Sequence, residues 1–201
     1  INPLRSNFVS EKVNLKNKDV IDVACGGGLL VEALSKFGAN VTGIDISDVA
    51  INTAQIHAKE TNCDVTYIHG EAEDLLPEKK EQFDVVTCLE AIEHVPDPQQ
   101  LVKTCSELCK PGGTIVFSTI NRNPKSFLFA IIGAEYILNL LPKGTHDFKK
   151  FLKPSELSNM MRNSNLEVKE IIGMSYNPLT KKYWLGKDVD VNYMIHAEKS
   201  K

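Results

Sequence analysis

The run Val20-Ile21-Asp22-Val23-Ala24-Cys25-Gly26-Gly27-Gly28 is followed by an apolar-periodic stretch from Leu29 to Phe37 and then by Val41-Thr42-Gly43-Ile44-Asp45. This succession leaves few folds open to the chain. A short β-branched run reads as a buried strand, glycines let the backbone pass close to a ligand without Cβ interference, and a helix opens there with its first N–H groups unpaired. The next strand ends in Asp45, at the distance where a carboxylate accepts bonds from two ribose hydroxyls. The unit therefore predicts a nucleotide site. The plainer alternative is a glycine-rich turn with a structural acid nearby.

The residues on either side narrow the ligand. A dinucleotide site needs G-x-G-x-x-G to seat a pyrophosphate, whereas here the spacing is Asp22-x-Ala24-x-Gly26-x-Gly28. An acid on the strand repels phosphate and suits a cationic amine, so a nucleoside with a zwitterionic tail is expected, as in S-adenosylmethionine. The segment resembles the first motif of the Rossmann-like methyltransferases. That motif usually carries Gly where this chain has Ala24, which puts a methyl group near the ligand.

With 201 residues and 42% hydrophobic content, the chain can bury one full core. No stretch of 18 apolar residues suggests a membrane span. A formal net charge of −3 argues against a nucleic-acid partner held by a broad basic surface. Cys25, Cys63, Cys88, Cys105 and Cys109 include no C-x-x-C pair and read as reduced thiols, mostly core residues in a reducing compartment. The chain opens at Ile1 with neither Met nor a signal peptide, so an upstream segment is expected.

Strands and helices alternate in the manner of an α/β parallel sheet. Strands are expected near 19–24, 40–45, 64–69, 83–89 and 113–120, and helices near 27–37, 47–61 and 98–109. Lys110-Pro111-Gly112-Gly113 reads as the turn between the last of these helices and the fifth strand. A helix near 154–164 and strands near 166–174 and 189–198 should close the sheet, the last strand antiparallel.

Chemistry is expected where the fourth strand, Phe83 to Leu89, runs into Glu90-Ala91-Ile92-Glu93-His94-Val95-Pro96-Asp97-Pro98. Carboxyl ends of central strands face the ligand crevice in open α/β sheets. Two carboxylates and an imidazole there can bind a divalent metal or act as general bases, or they form only a polar turn. Glu71 and Ala72, after the third strand, stand beside Glu73 and Asp74, a composition that also fits an acidic helix start. His57, His69 and His196 read as satisfied structural or surface residues.

The Glu90 to Pro98 stretch, Phe117 to Asn123, Gly133 to Leu138, Pro142 to Asp147, Tyr176-Asn177-Pro178 and Asp190 to Met194 together resemble the bacterial ubiquinone-biosynthesis O-methyltransferases. The likeness covers essentially the whole chain, including Asn2-Pro3-Leu4-Arg5. It implies a Rossmann-like fold: a mostly parallel seven-stranded sheet with helices on both faces and a mostly helical insertion after the fifth strand. Residues 1–201 would form a single domain, with 121–153 as the substrate- and membrane-facing insertion. The resemblance assigns Arg5, Ala24, Gly26, Asp45, Glu71, Ala72 and Leu89 to S-adenosylmethionine, with Arg5 as a partner for its carboxylate and Glu71 and Ala72 beside the adenine. Glu90, Glu93 and His94 are assigned to catalysis and to Mg²⁺ or another divalent metal. Without a metal, Glu93 or His94 becomes the base, with His146 in reserve. The implied reaction is methyl transfer to a hydroxyl of a polyprenylated catechol or hydroquinol; another phenolic or a carbon acceptor is the alternative.

Between Lys125 and Lys143 lies a stretch that is apolar nearly all round yet too short to span a bilayer. With Lys149, Lys150 and Lys153 nearby, it reads as an interfacial helix, or else as a lid or dimer contact. The expected partners are accordingly the polyprenyl phenol, membrane lipids and other ubiquinone-biosynthesis proteins. The expected location is the cytoplasm, peripheral to the bacterial inner membrane. A nicotinamide dehydrogenase would need a phosphate-compatible loop. A non-catalytic adaptor would be expected to lose the acid cluster.

Overall fold

The computed structural model describes residues 1–126, 148–177, 180 and 182–201. Five β-branched runs form the parallel part of one sheet: β1 (Asp19–Val23), β2 (Asn40–Asp45), β3 (Thr66–His69), β4 (Phe83–Leu89) and β5 (Cys109–Ile120). Val20 pairs with Val41 on one side of β1 and with Val85 on the other. Successive residues leave a strand on opposite faces. Val20, Val85 and Val116 accordingly enter one core with α1 (Asn2–Lys12), α2 (Leu29–Ser35) and α3 (Asp48–Glu60). Their neighbours Ile21, Val86 and Ile115 enter the other, with α5 (Pro98–Leu108) and α7 (Pro154–Arg162). Both faces are covered, which is why these strands read as continuous apolar runs.

The sheet has eight strands where seven were expected, in the order β3-β2-β1-β4-β5-β8-β6-β7. The addition is β7 (Lys182–Gly186), which folds back antiparallel on the end of β6 (Leu166–Asn177), pairing Tyr183 with Tyr176. Tyr176 and Tyr183 are themselves stacked, 4.4 Å between ring centroids. An edge strand with only its inner residues packed lacks the alternation that marks a strand in sequence. β8 (Asn192–Lys199) runs antiparallel between β5 and β6, as expected of the last strand.

Other differences are local. Lys110 to Gly113 does not separate helix from strand but bulges from β5, between the pairs Phe83–Cys109 and Val85–Thr114. α2 is shorter than expected because Gly26 to Gly28 are spent on the loop: Gly28, at φ +78°, caps it, and a Cβ there would lie 2.1 Å from the Tyr67 hydroxyl. The N-terminal helix α1 was not foreseen; it buries Phe8 and Val9 and carries Arg5. Four of the five cysteines are buried and all are free thiols. His57 meets Glu32 at 2.6 Å and His69 meets the Ile46 carbonyl at 3.0 Å, but the buried Nε2 of His196 has no partner.

Within the 121–153 insertion, the described ends are α6 (Pro124–Ser126) and a short 3-10 turn (Phe148–Lys150). The expected interfacial helix and His146 lie outside the described residues. Among the described residues no helix is long and apolar enough to cross a membrane.

The chain from β7 to β8 passes close over β6, so a Cβ on Gly173 would stand 1.7 Å from the Asp188 carbonyl oxygen. That neighbour is backbone and cannot rotate away. Gly173→Ala should cost about 1–3 kcal/mol, lowering Tm by roughly 3–10 °C in thermal unfolding.

Candidate active site

The strand order reverses between β1 and β4, and at such a point the chain leaves a crevice outside the carboxyl ends of the strands. Two cavities open there, and Ala24 lines both. The larger, about 280 Å³, is walled by Asp45, Ile46, Glu71, Ala72, Val95 and Leu101. The smaller, about 210 Å³, is walled by Arg5, Asp22, Cys25, Gly27, Leu30 and Leu89. One is largely apolar with carboxylates among its walls, and the other holds both signs of charge. Together they match a nucleoside with a zwitterionic tail.

The loop after β1 is shaped for this. Asp45 Oδ2 accepts the Gly26 N–H at 2.9 Å and Oδ1 accepts the Ser47 N–H at 2.8 Å. Each oxygen retains acceptor capacity for a ligand hydroxyl. A Cβ on Gly26, at φ +52°, or on Gly27 would meet nothing within 4 Å, so room remains beside the backbone. Gly26 thus holds Asp45 and leaves open space beside the backbone. Glu71 caps the 3-10 turn Ala72–Leu75 in a reciprocal arrangement with Asp74, so the acidic start is structural while Glu71 and Ala72 also face the larger cavity.

Asp22 is the charged floor of the smaller cavity. Its carboxyl is 4% exposed and accepts the Thr87 hydroxyl at 2.6 Å. Burial pushes its pKa up to about 7, against the lowering effects of the Thr87 bond and the Arg5 charge. A buried acid in this state is stabilised by a cation placed beside it. Arg5 reaches the opposite side from α1. Its Nη2 lies 2.7 Å from Glu90 Oε1, while its buried Nε has no partner, a vacancy that a ligand carboxylate would satisfy.

The acid pair follows β4. Glu90 stands at φ +58°, and its Oε1 accepts from Arg5 and, at 2.7 Å, from the Ser118 hydroxyl. The Asn192 amide donates to both of its oxygens at 3.1 Å. Glu93 is 3% exposed and accepts the Thr119 hydroxyl at 2.8 Å. Burial first, and the neighbouring Glu90 charge second, push its pKa up to about 7.

The expected metal set is not assembled. Glu90 and Glu93 are each tied to a separate hydroxyl of β5, Ser118 and Thr119, while His94 is exposed. Among the described residues no group of three or more His, Cys, Asp or Glu is placed to hold a metal ion. As they stand, Glu90, Glu93 and His94 do not fit a shared Mg²⁺.

Residues 21–117 match the family model described as a methyltransferase domain. Over 197 residues the chain is 60% identical to the ubiquinone biosynthesis O-methyltransferase of Pseudomonas syringae pv. tomato, covering 98% of this chain and 85% of that protein. The Marinobacter nauticus protein of the same name is 56% identical over 98% of this chain and 84% of its own. This chain belongs to the ubiquinone biosynthesis O-methyltransferase family. Solved structures share its fold at lower identity. Magnesium protoporphyrin IX methyltransferase from Synechocystis, with bound SAH, matches at TM-score 0.73 and 19% identity over 99% of this chain and 82% of that one. A Pyrococcus horikoshii protein matches at 0.74 and 18%, over 98% and 89%.

For this methyltransferase, Thr87, Ser118, Thr119 and Asn192 are the residues whose roles the sequence did not disclose. Three of them carry a faint signal: hydroxyls at the inner end of otherwise apolar strands, where only a buried acceptor would justify them.

Ala24, at φ +57°, sits in the left-handed region that an alanine occupies at a cost of about 1–2 kcal/mol. Set against glycine's greater unfolded-state freedom, Ala24→Gly should gain about 0.5–1 kcal/mol, a Tm rise of roughly 1–4 °C. Asp22 gives a pH signature. Because its folded pKa lies above the ordinary 3.8, the native state binds the extra proton between about 4 and 7, and stability falls as pH rises through that window. Asp22→Asn should remove this loss, stabilising the protein at pH 8 by roughly 1–4 kcal/mol in urea unfolding, while weakening S-adenosylmethionine at least about tenfold by calorimetry.

Proposed function

We propose that this S-adenosylmethionine-dependent O-methyltransferase methylates a hydroxyl of a polyprenylated catechol or hydroquinol, and that Glu93 and Glu90 serve the acceptor. The observation that carries this reading is the Arg5–Glu90 contact, which sets Glu90 beside the cavity suited to the cofactor's amino-acid tail, with Glu93 near enough to feel the Glu90 charge. Arg5 and Asp22 would hold the carboxylate and amine of the cofactor, Asp45 its ribose, and Glu71 with Ala72 the base. Bound there, S-adenosylmethionine supplies an activated methyl on a sulfonium.

What remains for the protein is to align the acceptor oxygen and take its proton. A phenol near pKa 10 is mostly protonated at neutral pH. Glu93, buried beside Thr119 with a pKa lifted toward neutrality, is closer to the phenol in acidity than an ordinary carboxylate, which favours proton transfer to its oxygen. Glu90, fixed by Arg5, Ser118 and Asn192, orients the acceptor and adds negative charge beside Glu93. Burial excludes water from Glu93. Membrane association through 127–141 extends the same reading to a long-tailed substrate; its support is the lysine-flanked apolar run alone.

The test is methyl transfer from S-adenosylmethionine to a short-prenyl catechol. Glu93→Gln should lower kcat roughly 10²- to 10⁴-fold, the usual share of a general base, with S-adenosylmethionine affinity within a few fold. Wild-type rates should be unaffected by EDTA. A rate that collapses with chelator and returns with Mg²⁺ would replace Glu93 as base with a metal-assisted route requiring the acid pair to rearrange.

A further inference from the structure

Three donors meet Glu90, but they are not equivalent. Arg5 and Ser118 both address Oε1. Among the described residues, Asn192 alone reaches Oε2, its Nδ2 lying 3.1 Å from each oxygen. The last torsion of a glutamate is broad and soft. Two donors on one oxygen leave the other free to swing about it, whereas a donor shared between both oxygens fixes the carboxylate plane.

The amide cannot serve in the reverse sense, because a flipped Asn192 would aim its carbonyl at two acceptor oxygens. Its orientation is therefore set by Glu90, and in consequence its own Oδ1 is buried with no partner. A buried acceptor left unsatisfied costs stability. A residue kept for the fold alone would have no reason to carry that loss.

The backbone beneath Asn192 is also held. Where β5 runs out, the Asn121 N–H donates to the Val191 carbonyl at 2.9 Å, its side chain donates to Val189 at 2.9 Å, and the Asn123 side chain donates to Asp190 at 2.6 Å. Asn192 then starts β8, paired with Ile120 and Met174. A rigid turn thus delivers one amide to one carboxylate at the reacting edge of the sheet.

We infer that Asn192 is a positioning residue for methyl transfer, acting through Glu90 by fixing the plane of its carboxylate toward the acceptor. The inference rests on the reading of Glu90 as an acceptor-side group. Its test uses the full chain, a short-prenyl catechol, and two independent readouts: Kd for S-adenosylhomocysteine, and Tm. Asn192→Leu removes the amide at nearly constant size, and Asn192→Asp sets a second carboxylate against Glu90. The Leu variant should lose roughly 10- to 100-fold in kcat, the scale of a misaligned reacting group, and the Asp variant more. Kd for S-adenosylhomocysteine should stay within about twofold of wild type, and the Tm of the Leu variant should change by no more than about 5 °C, since relief of the orphaned Oδ1 offsets part of the donor lost from Glu90. Wild-type kcat in Asn192→Leu overturns the inference, as does a kcat loss matched by a Tm lowered by more than about 5 °C or by weakened S-adenosylhomocysteine binding. Should the Leu variant fail to fold, Asn192→Ser keeps a donor and should give a kcat between wild type and the Asp variant; an unchanged kcat there overturns it equally. A wild-type protein that binds S-adenosylhomocysteine but never methylates the catechol overturns the functional reading and this inference with it, whereas a wild-type rate in the variants overturns this inference alone.

Discussion

The parallel pairing of β1 with β4 is the constraint on which the site depends. These strands run side by side with Ile21 opposite Val86 and Asp22 opposite Thr87, and the connections leaving them turn away to opposite sides. The crevice between those connections is the place where Asp22, Ala24, Leu89 and Glu90 converge. Even the buried acid of β1 is supported across this pairing, since the Thr87 hydroxyl that holds Asp22 comes from the neighbouring strand. Moving the register by one residue would turn Asp22 into the opposite core and leave a carboxylate among apolar side chains without its donor.

Two of the six described non-glycine residues with left-handed backbone stand at the same edge. Ala24 and Glu90, the residues directly following β1 and β4, both adopt left-handed conformations although neither is glycine. At each strand end the chain must turn sharply enough to clear the crevice. At Glu90 the turn also carries the side chain back toward Ser118 and Arg5 rather than onward into solvent. Strain of this kind persists only where surrounding contacts over-determine it, and here the carboxylate's three donors do so.

Much of this was legible from residue pattern. The strand–glycine–strand unit, the parallel strands through Leu89 and the place of Asp45 at the end of β2 follow from periodicity and glycine placement, and the acid on β1 points to a cationic amine through charge alone. What escaped was long-range. Whether Glu90, Glu93 and His94 converge depends on which hydroxyl of β5, Ser118 or Thr119, each acid meets, and on Asn192 at the far end of the chain. Periodicity within a segment carries no information about either. β7 escaped for a different reason: Lys182 and Tyr183 are exposed and Trp184 is half exposed, so little burial shaped its pattern.

The contact between Asn192 and Glu90 joins residues 102 positions apart, and β8 is made after the other seven strands of the sheet. During synthesis the glycine loop, Asp45 and the acid pair all emerge well before the strand that completes Glu90's surroundings. A chain stopped short of β8 would thus hold Asp22, Asp45 and the acid pair without the Asn192 amide that meets both oxygens of Glu90. The order of translation places the Asn192–Glu90 contact behind the other seven strands, so this edge of the crevice is finished only when the sheet itself is.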